Sequence, residues 1–155
     1  MAMFLSSTTN KVDAKGRVSV PAAYRAALAG QPFHGIVALP SFKYAAIQCG
    51  GMEWMEHLNR GVSAYDFFSD EHDTLTATLF SRTEQLSFDG EGRVVLPAAL
   101  VEHANLNKTA AFVGRGPIFE IWEPEAFADY QNEATKRAAE QGLTLRPPGS
   151  NGGAG

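Results

Sequence analysis

Two short segments of the chain carry residues whose types and spacing could do chemistry. Residues 13–17 read Asp-Ala-Lys-Gly-Arg and residues 89–93 read Asp-Gly-Glu-Gly-Arg. An arginine can form two parallel hydrogen bonds to a phosphate or a guanine edge, whereas a lysine acts as a point charge. Both side chains suit nucleic-acid recognition. Lys15 and Arg17 are therefore candidate nucleic-acid contacts, and Lys11 on the preceding strand is a further candidate.

The other residues of these segments suit a tight turn. Asp13 and Asp89 can accept hydrogen bonds from backbone N–H groups of the turn, or hold the arginine four residues later. Gly16 and Gly92 are expected at a positive φ, which glycine adopts without steric cost. We assign these four residues a structural role in presenting the arginines.

The two segments belong to an internal repeat. Residues 13–23 and 89–99 coincide at seven of eleven positions with an offset of 76 residues. Alternating apolar residues on both sides of each turn predict a β-hairpin. Pro21 and Pro97 then suit the start of a short helix, because a proline costs no hydrogen bond there.

The pattern after each short helix also repeats. We predict strands over 34–39, 44–48, 109–113 and 118–122, and a closing helix in each copy. A connecting helix is predicted over 70–82. The expected organisation is a first copy over 3–68, the connecting helix over 69–82, a second copy over 83–141 and a disordered tail over 142–155. The fold class is α+β, with two pseudo-symmetric hairpin units and short peripheral helices.

Charge is distributed unevenly along the chain. The net charge is −4 overall, but residues 1–43 carry five basic residues and one acid. Because salt screens charges beyond roughly 8–10 Å, a local basic zone can attract phosphates even on an acidic protein. Contacts to DNA are expected mainly from the first 43 residues.

Other classes of protein find little support in the sequence. The four histidines lack metal-ligand spacing, no phosphate-binding glycine loop occurs, and Cys49 has no base nearby in sequence. The cluster at 69–73 is better explained as a helix cap than as a metal site. Trp54 and Trp122 are expected to pack in the core or between subunits. The sequence therefore predicts no enzyme, cofactor, metal, small-molecule substrate or membrane partner, and a cytoplasmic protein.

The doubled motif resembles a known family. Asp-x-Lys-Gly-Arg-x-x-x-Pro is similar to the SpoVT/AbrB-type swapped-hairpin DNA-binding domain, and two copies in one chain resemble the MraZ family. The start Met3-Phe4-Leu5-Ser6 and the segment Glu120-Ile121-Trp122 add to this resemblance. The resemblance implies that the two hairpin units interlock in one β core and that Lys15, Arg17 and Arg93 contact DNA. It also implies a nucleoid-associated, ring-shaped homo-oligomer that regulates transcription by binding double-stranded DNA upstream of the division and cell-wall operon, including its own gene.

One residue departs from the family pattern, and alternatives stay open. Glu91 stands where the first copy has Lys15, so the two loops are expected to contribute unequally. One rival is another AbrB-type regulator of the antitoxin or transition-state kind. The other rival is a ring-forming interaction scaffold with weak or no DNA affinity.

Overall fold

The computed structural model describes residues 2–145. The first copy runs through β1 (Ser7–Lys11), β2 (Arg17–Ser19), α1 (Ala22–Ala27), β3 (Gly35–Pro40), β4 (Ala46–Gly50) and α2 (Met52–Val62). The connection holds α3 (Asp70–Thr78) and a 3₁₀ turn (Phe80–Arg82). The second copy comprises β5 (Glu84–Ser87), β6 (Arg93–Val95), α4 (Ala98–His103), β7 (Thr109–Gly114), β8 (Phe119–Trp122) and α5 (Pro124–Glu140).

The hairpins of the two copies are exchanged. The main sheet is antiparallel with the order β1-β7-β8-β4-β3-β5, so β1 pairs with β7 of the second copy and β5 with β3 of the first. A separate two-stranded ribbon pairs β2 with β6. The fold is therefore α+β, with two pseudo-symmetric hairpin units interlocked in one β core, as predicted.

A pseudo-two-fold axis passes through two pairs of equivalent residues. Val18 pairs with Val94 in the ribbon, and Ile47 pairs with Ile121 in the main sheet. Equivalent residues of the two copies are 76 positions apart up to the end of the short helices and 74 positions apart after them. This offset allows each residue near one loop to be compared with its counterpart near the other.

The interlocked core lies between the ribbon, the short helices and one face of the main sheet. Val18, Val94, Ile47 and Ile121 are all at most 1% exposed there. Trp54 packs on the opposite face of the sheet with Val37 and Leu39, and α2 adds Met52, Met55 and Leu58. Trp54 and Trp122 are both buried, which confirms that they belong to the protein interior. Cys49 is also buried, and this burial raises the pKa of its thiol.

Two predicted elements differ from the structure by two or more residues at an end. The strand predicted over 44–48 is β4, Ala46–Gly50, because the Ser41 hydroxyl accepts hydrogen bonds from the N–H groups of Lys43 and Tyr44 and forms a turn there. The helix predicted over 70–82 ends as α3 at Thr78. Leu79 leaves the helix and packs against the Trp54 cluster, and a 3₁₀ turn follows. The Ser69 hydroxyl caps α3 by accepting from the N–H of His72, as expected.

The described residues divide into two compact units, one ending at Pro124 and one beginning at Glu125. Residues of α5 form the second unit, in which the Tyr130 ring lies near that of Phe127 and under the guanidinium of Arg137. Helices of the described residues are too short or too polar to cross a membrane. Most of the tail predicted to be disordered, residues 146–155, lies outside the described residues.

Candidate nucleic-acid interface

The first loop is held by a single carboxylate. Asp13 Oδ1 accepts hydrogen bonds from the N–H groups of Lys15 at 2.9 Å and Arg17 at 2.8 Å. Its Oδ2 accepts from Nε of Arg17 at 2.6 Å. These bonds favour the charged carboxylate, so the pKa of Asp13 is lowered, chiefly by the backbone N–H of Arg17. Asp13 thus closes the turn and orients Arg17, two roles that the sequence left as alternatives.

Asp89 builds the second loop in the same way. It accepts from the N–H groups of Glu91 and Arg93 and from Nε of Arg93, at 2.8, 2.9 and 2.8 Å respectively. The backbone N–H of Arg93 is the main cause that lowers the pKa of Asp89, and the side-chain bond to Asp89 raises the pKa of Arg93. The two loops therefore share one hydrogen-bond pattern.

Both predicted turn glycines have a positive φ. Gly16 lies at +80° and Gly92 at +76°. Each glycine carbonyl also accepts a hydrogen bond from the other copy: Gly16 from the N–H of Leu96 at 2.9 Å, and Gly92 from that of Val20 at 3.1 Å. The glycines therefore join each loop to the other copy as well as shaping the turn.

The aspartates leave the outer edge of each guanidinium available. Within residues 2–145, the guanidinium of Arg17 bonds to Asp13 through Nε, and its Nη1 and Nη2 have no partner. Arg93 differs, because its Nη1 lies 3.7 Å from Oε2 of Glu91. A guanidinium held at Nε can still form two parallel hydrogen bonds through its other nitrogens. Arg17 is thus the freer of the two arginines.

The ribbon brings the two arginines to one surface. Arg17 pairs with Val95 and Ser19 pairs with Arg93, while Val18 and Val94 between them point into the core. Because side chains alternate along a strand, both arginines project from the outer face of the ribbon. The exchange of hairpins therefore places residues 76 positions apart in one candidate site.

The described surface beside the first loop is a basic groove of about 510 Å³. Its lining includes Lys11, Arg17, Arg93 and Lys108, with Asp13 as its acid. The structure thus joins three of the four predicted contacts, Lys11, Arg17 and Arg93, and adds Lys108, which we did not predict. Lys15 is exposed in the neighbouring turn and does not line the groove.

The equivalent positions beside the second loop carry no lysine. Val12 N–H donates to the carbonyl of Lys108, and Phe88 N–H donates to that of His34, so Lys108 and His34 are equivalent. By the same symmetry Ser87 replaces Lys11 and Glu91 replaces Lys15. The first loop is therefore the basic side of a ribbon with symmetric geometry.

Arg25 is a further cation that the sequence did not single out. Its Nε donates to the carbonyl of Val20 at 3.1 Å, and its Cζ lies only 2.6 Å from where a Cβ on Gly92 would stand. Arg25 of the first copy therefore lies against the second loop. The equivalent residue in the second copy is Val101. This difference between the two copies was the signal in the sequence that could have drawn attention to Arg25.

The fold and these loops define a doubled swapped-hairpin protein with a basic ribbon surface. A family model described as "MraZ protein, putative antitoxin-like" matches residues 79–146. The protein named transcriptional regulator MraZ of Rickettsia bellii (strain OSU 85-389) is 48% identical over 147 residues, 94% of this chain and 98% of the relative. Those of Rickettsia felis (strain ATCC VR-1525 / URRWXCal2) and Rickettsia canadensis (strain McKiel) are each 47% identical over 146 residues, with the same coverage.

The chain belongs to the MraZ family. The names of these relatives support a role in transcription regulation.

Proposed function

We propose that this protein is a sequence-specific DNA-binding regulator of transcription. Its target is the region upstream of the division and cell-wall operon, including its own gene, and it binds as a ring-shaped homo-oligomer. Its place of action is the nucleoid, and its role is binding without catalysis. The observation that carries the proposal is the ribbon surface, on which Arg17 and Arg93 flank a groove that also holds Lys11 and Lys108.

The chemistry of this surface suits duplex DNA. Arg17 is oriented by Asp13 through Nε and presents Nη1 and Nη2 outward, so it can bond to the O6 and N7 atoms of guanine or to a phosphate. Lys11 and Lys108 supply point charges for phosphates on the same side of the ribbon. We assign base recognition to Arg17 and phosphate attraction to the lysines, including Lys15.

Assembly supplies the affinity that one subunit lacks. A few phosphate contacts give weak binding that falls steeply with salt. When several subunits engage neighbouring sites on one DNA molecule, each later contact forms at a high effective concentration. A ring of ribbons can therefore bind tightly although each ribbon binds weakly, and this is the reason for including the oligomer in the proposal.

The proposal is tested by fluorescence anisotropy with two duplexes of equal length and composition. One is the DNA directly upstream of the gene, and the other is a scrambled version of it. We expect tighter binding to the upstream DNA, and we expect Arg17→Ala to remove that preference. Arg60→Ala, which deletes an exposed arginine on α2, is the matched control and should keep the preference. Equal binding of the wild type to both duplexes would refute sequence-specific recognition.

A second candidate function is a ring-forming interaction scaffold with little DNA affinity. It is favoured by Glu91, whose carboxylate lies beside Arg93 on the surface assigned to DNA. Under this alternative neither duplex binds at low salt, while the oligomer persists.

A further inference from the structure

A second groove, of about 650 Å³, lies between α1 and the second loop, outside the basic groove. Helix α1 contributes Arg25 to its lining, and the segment before β3 contributes Phe33 and His34. The chain that enters the second loop contributes Phe88 and Asp89. We call this surface the His34 groove. It is adjacent to the second of the two loops that we assign to DNA binding.

The His34 groove repeats part of the basic groove with one change in chemistry. Its residues Asp89 and His34 are equivalent to Asp13 and Lys108, which line the basic groove. A lysine is charged throughout the neutral pH range, whereas a histidine changes its charge between about pH 5 and pH 8. The same position therefore holds a permanent cation beside the first loop and a pH-dependent cation beside the second.

The side chain of His34 is available to a partner outside the protein. It is exposed, and its ring packs edge to face with that of Phe88, with the centroids 5.2 Å apart. Among residues 2–145 the His34 ring has no hydrogen-bond or ion-pair partner. The nearby carboxylate of Asp89 is already engaged by two N–H groups and the arginine of the second loop. A protonated imidazole at this position therefore has two N–H groups with which it can bind an anion.

Protonation of His34 determines the net charge of this groove. The other charged residues that line it are Arg25 on α1 and Asp89 in the second loop, and the rest of its lining is uncharged. Nε of Arg25 donates to the Val20 carbonyl, which holds the guanidinium in place. The backbone N–H of Arg93 is the main cause that lowers the pKa of Asp89, so its carboxylate stays charged while a histidine titrates. These two opposite charges cancel, so the groove attracts phosphates by its net charge only when His34 is protonated.

We propose that His34, once protonated, binds a phosphate of DNA beside the second loop. The imidazole takes its proton from solvent and donates an N–H group to a phosphate oxygen. Lys108 provides the equivalent charge beside the first loop throughout this pH range. The second loop therefore contributes more to DNA binding as pH falls, whereas the charge beside the first loop stays constant. This inference rests on the proposed DNA-binding function and specifies how the second loop takes part in it.

The test is a salt series of anisotropy titrations at about pH 8 and at about pH 5.5, on either side of the usual titration of a histidine. For the wild type on the upstream duplex, the slope of log affinity against log salt should be steeper at the lower pH by about 0.9 per engaged subunit. His34→Asn should bind like the wild type at the higher pH and lose the additional slope at the lower pH. His57→Asn, which removes an exposed histidine on α2, is the matched control and should keep the additional slope.

Exchanging the two equivalent residues tests the same idea by gain and loss of charge. His34→Lys should give the steeper salt slope at both pH values. Lys108→His should bind DNA more weakly than the wild type at the higher pH and regain wild-type affinity at the lower pH. These two variants also keep the inference testable if His34→Asn does not fold. Because phosphate contacts carry no base information, the gain at the lower pH should be equal on the scrambled duplex.

The outcomes separate this inference from the proposed function. A wild-type salt slope that is the same at both pH values would overturn the role of His34 alone, and so would a His34→Asn variant that keeps the wild-type pH dependence. Loss of the pH dependence in His57→Asn as well would assign the effect to the overall charge of the protein and overturn the inference. A gain confined to the upstream duplex would contradict a phosphate contact. A wild type that binds neither duplex at either pH would overturn the proposed DNA binding itself.

Discussion

Reversing the charge of Glu91 should strengthen DNA binding and make it more salt-dependent. Arg93 is held by two carboxylates, Asp89 through Nε and Glu91 near Nη1, whereas Arg17 is held by Asp13 alone. To bond a phosphate through Nη1, Arg93 must leave Glu91, whose side chain is 75% exposed. Glu91→Lys removes this competitor and gives the second loop the cation that Lys15 provides in the first.

The size of the effect follows from counterion release. Each additional phosphate contact steepens the plot of log affinity against log salt by about 0.9 in duplex DNA. Between 50 mM and 200 mM salt, one new contact therefore adds about a 3.5-fold loss of affinity per engaged subunit. Loss of a bidentate arginine contact costs roughly 1–3 kcal/mol. Within this range, Arg17→Ala should remove more binding free energy than Arg93→Ala, because Arg93 is already paired with Glu91 before DNA binds.

The assay is a salt series of anisotropy titrations on the upstream duplex with all three variants. Glu56→Lys makes the same charge change at an exposed position on α2 and serves as the control for net charge. We expect a steeper slope for Glu91→Lys than for Glu56→Lys. Equal losses for the two arginine variants, together with equal slopes for the two lysine variants, would refute unequal use of the loops.

Three further predictions concern the loops themselves. Gly16→Ala should lower the free energy of unfolding by more than about 1 kcal/mol in urea denaturation, because φ is +80° and the new Cβ would lie 2.9 Å from the Leu96 carbonyl oxygen. Arg25→Val, which installs the residue type of the equivalent helix position, should weaken DNA binding and lower the salt slope by about 0.9. In a carbon-13 NMR titration, Asp13 and Asp89 should protonate below their ordinary pKa of 3.8, so the loop contacts persist at higher pH and are lost as pH falls through the lowered values.

Each of these predictions has a distinct control or contrary result. Gly90→Ala introduces a Cβ that meets nothing within 4 Å and should leave unfolding nearly unchanged; a loss as large as that of Gly16→Ala would contradict the backbone argument. An unchanged salt slope for Arg25→Val would show that Arg25, which lies against the second loop outside the basic groove, binds no phosphate. Titration of either aspartate at or above pH 3.8 would show that the hydrogen bonds at the loop do not stabilise the carboxylate.

The local parts of the fold were predictable because short sequence signals determine them. The positive φ at Gly16 and Gly92 and the hydrogen bonds to Asp13 and Asp89 all lie within five-residue segments. The choice of which strands pair with each other is not determined by such local signals. Alternating apolar residues in a hairpin look the same whether the strand pairs within its own copy or with the other. The exchange was expected from the family resemblance and not from the alternating pattern.

The candidate site shows the same division between local and long-range information. Arg17 and Arg93 stand out because their motif repeats, whereas Lys108 and Arg25 belong to no motif. Lys108 reaches the groove because β1 pairs with β7, and Arg25 reaches the second loop because α1 lies against that loop. The absence of a lysine at Lys108's counterpart, His34, was visible in the sequence. The significance of this difference depends on knowing that the carbonyls of Lys108 and His34 accept hydrogen bonds from the equivalent residues Val12 and Phe88.

The interlocked ribbon explains why charge, more than shape, can divide the work of the two loops. Val18 and Val94 pair on the axis and are each 1% exposed, so β2 and β6 are packed together as one element. Neither arginine can be shifted without disturbing the other copy. A change in surface charge, as at Glu91, leaves the ribbon hydrogen bonds in place and alters only the electrostatic interaction with DNA. We therefore expect charge substitutions to change the contribution of one loop to DNA binding at little cost in stability, whereas substitutions in the valine pair should damage both loops together.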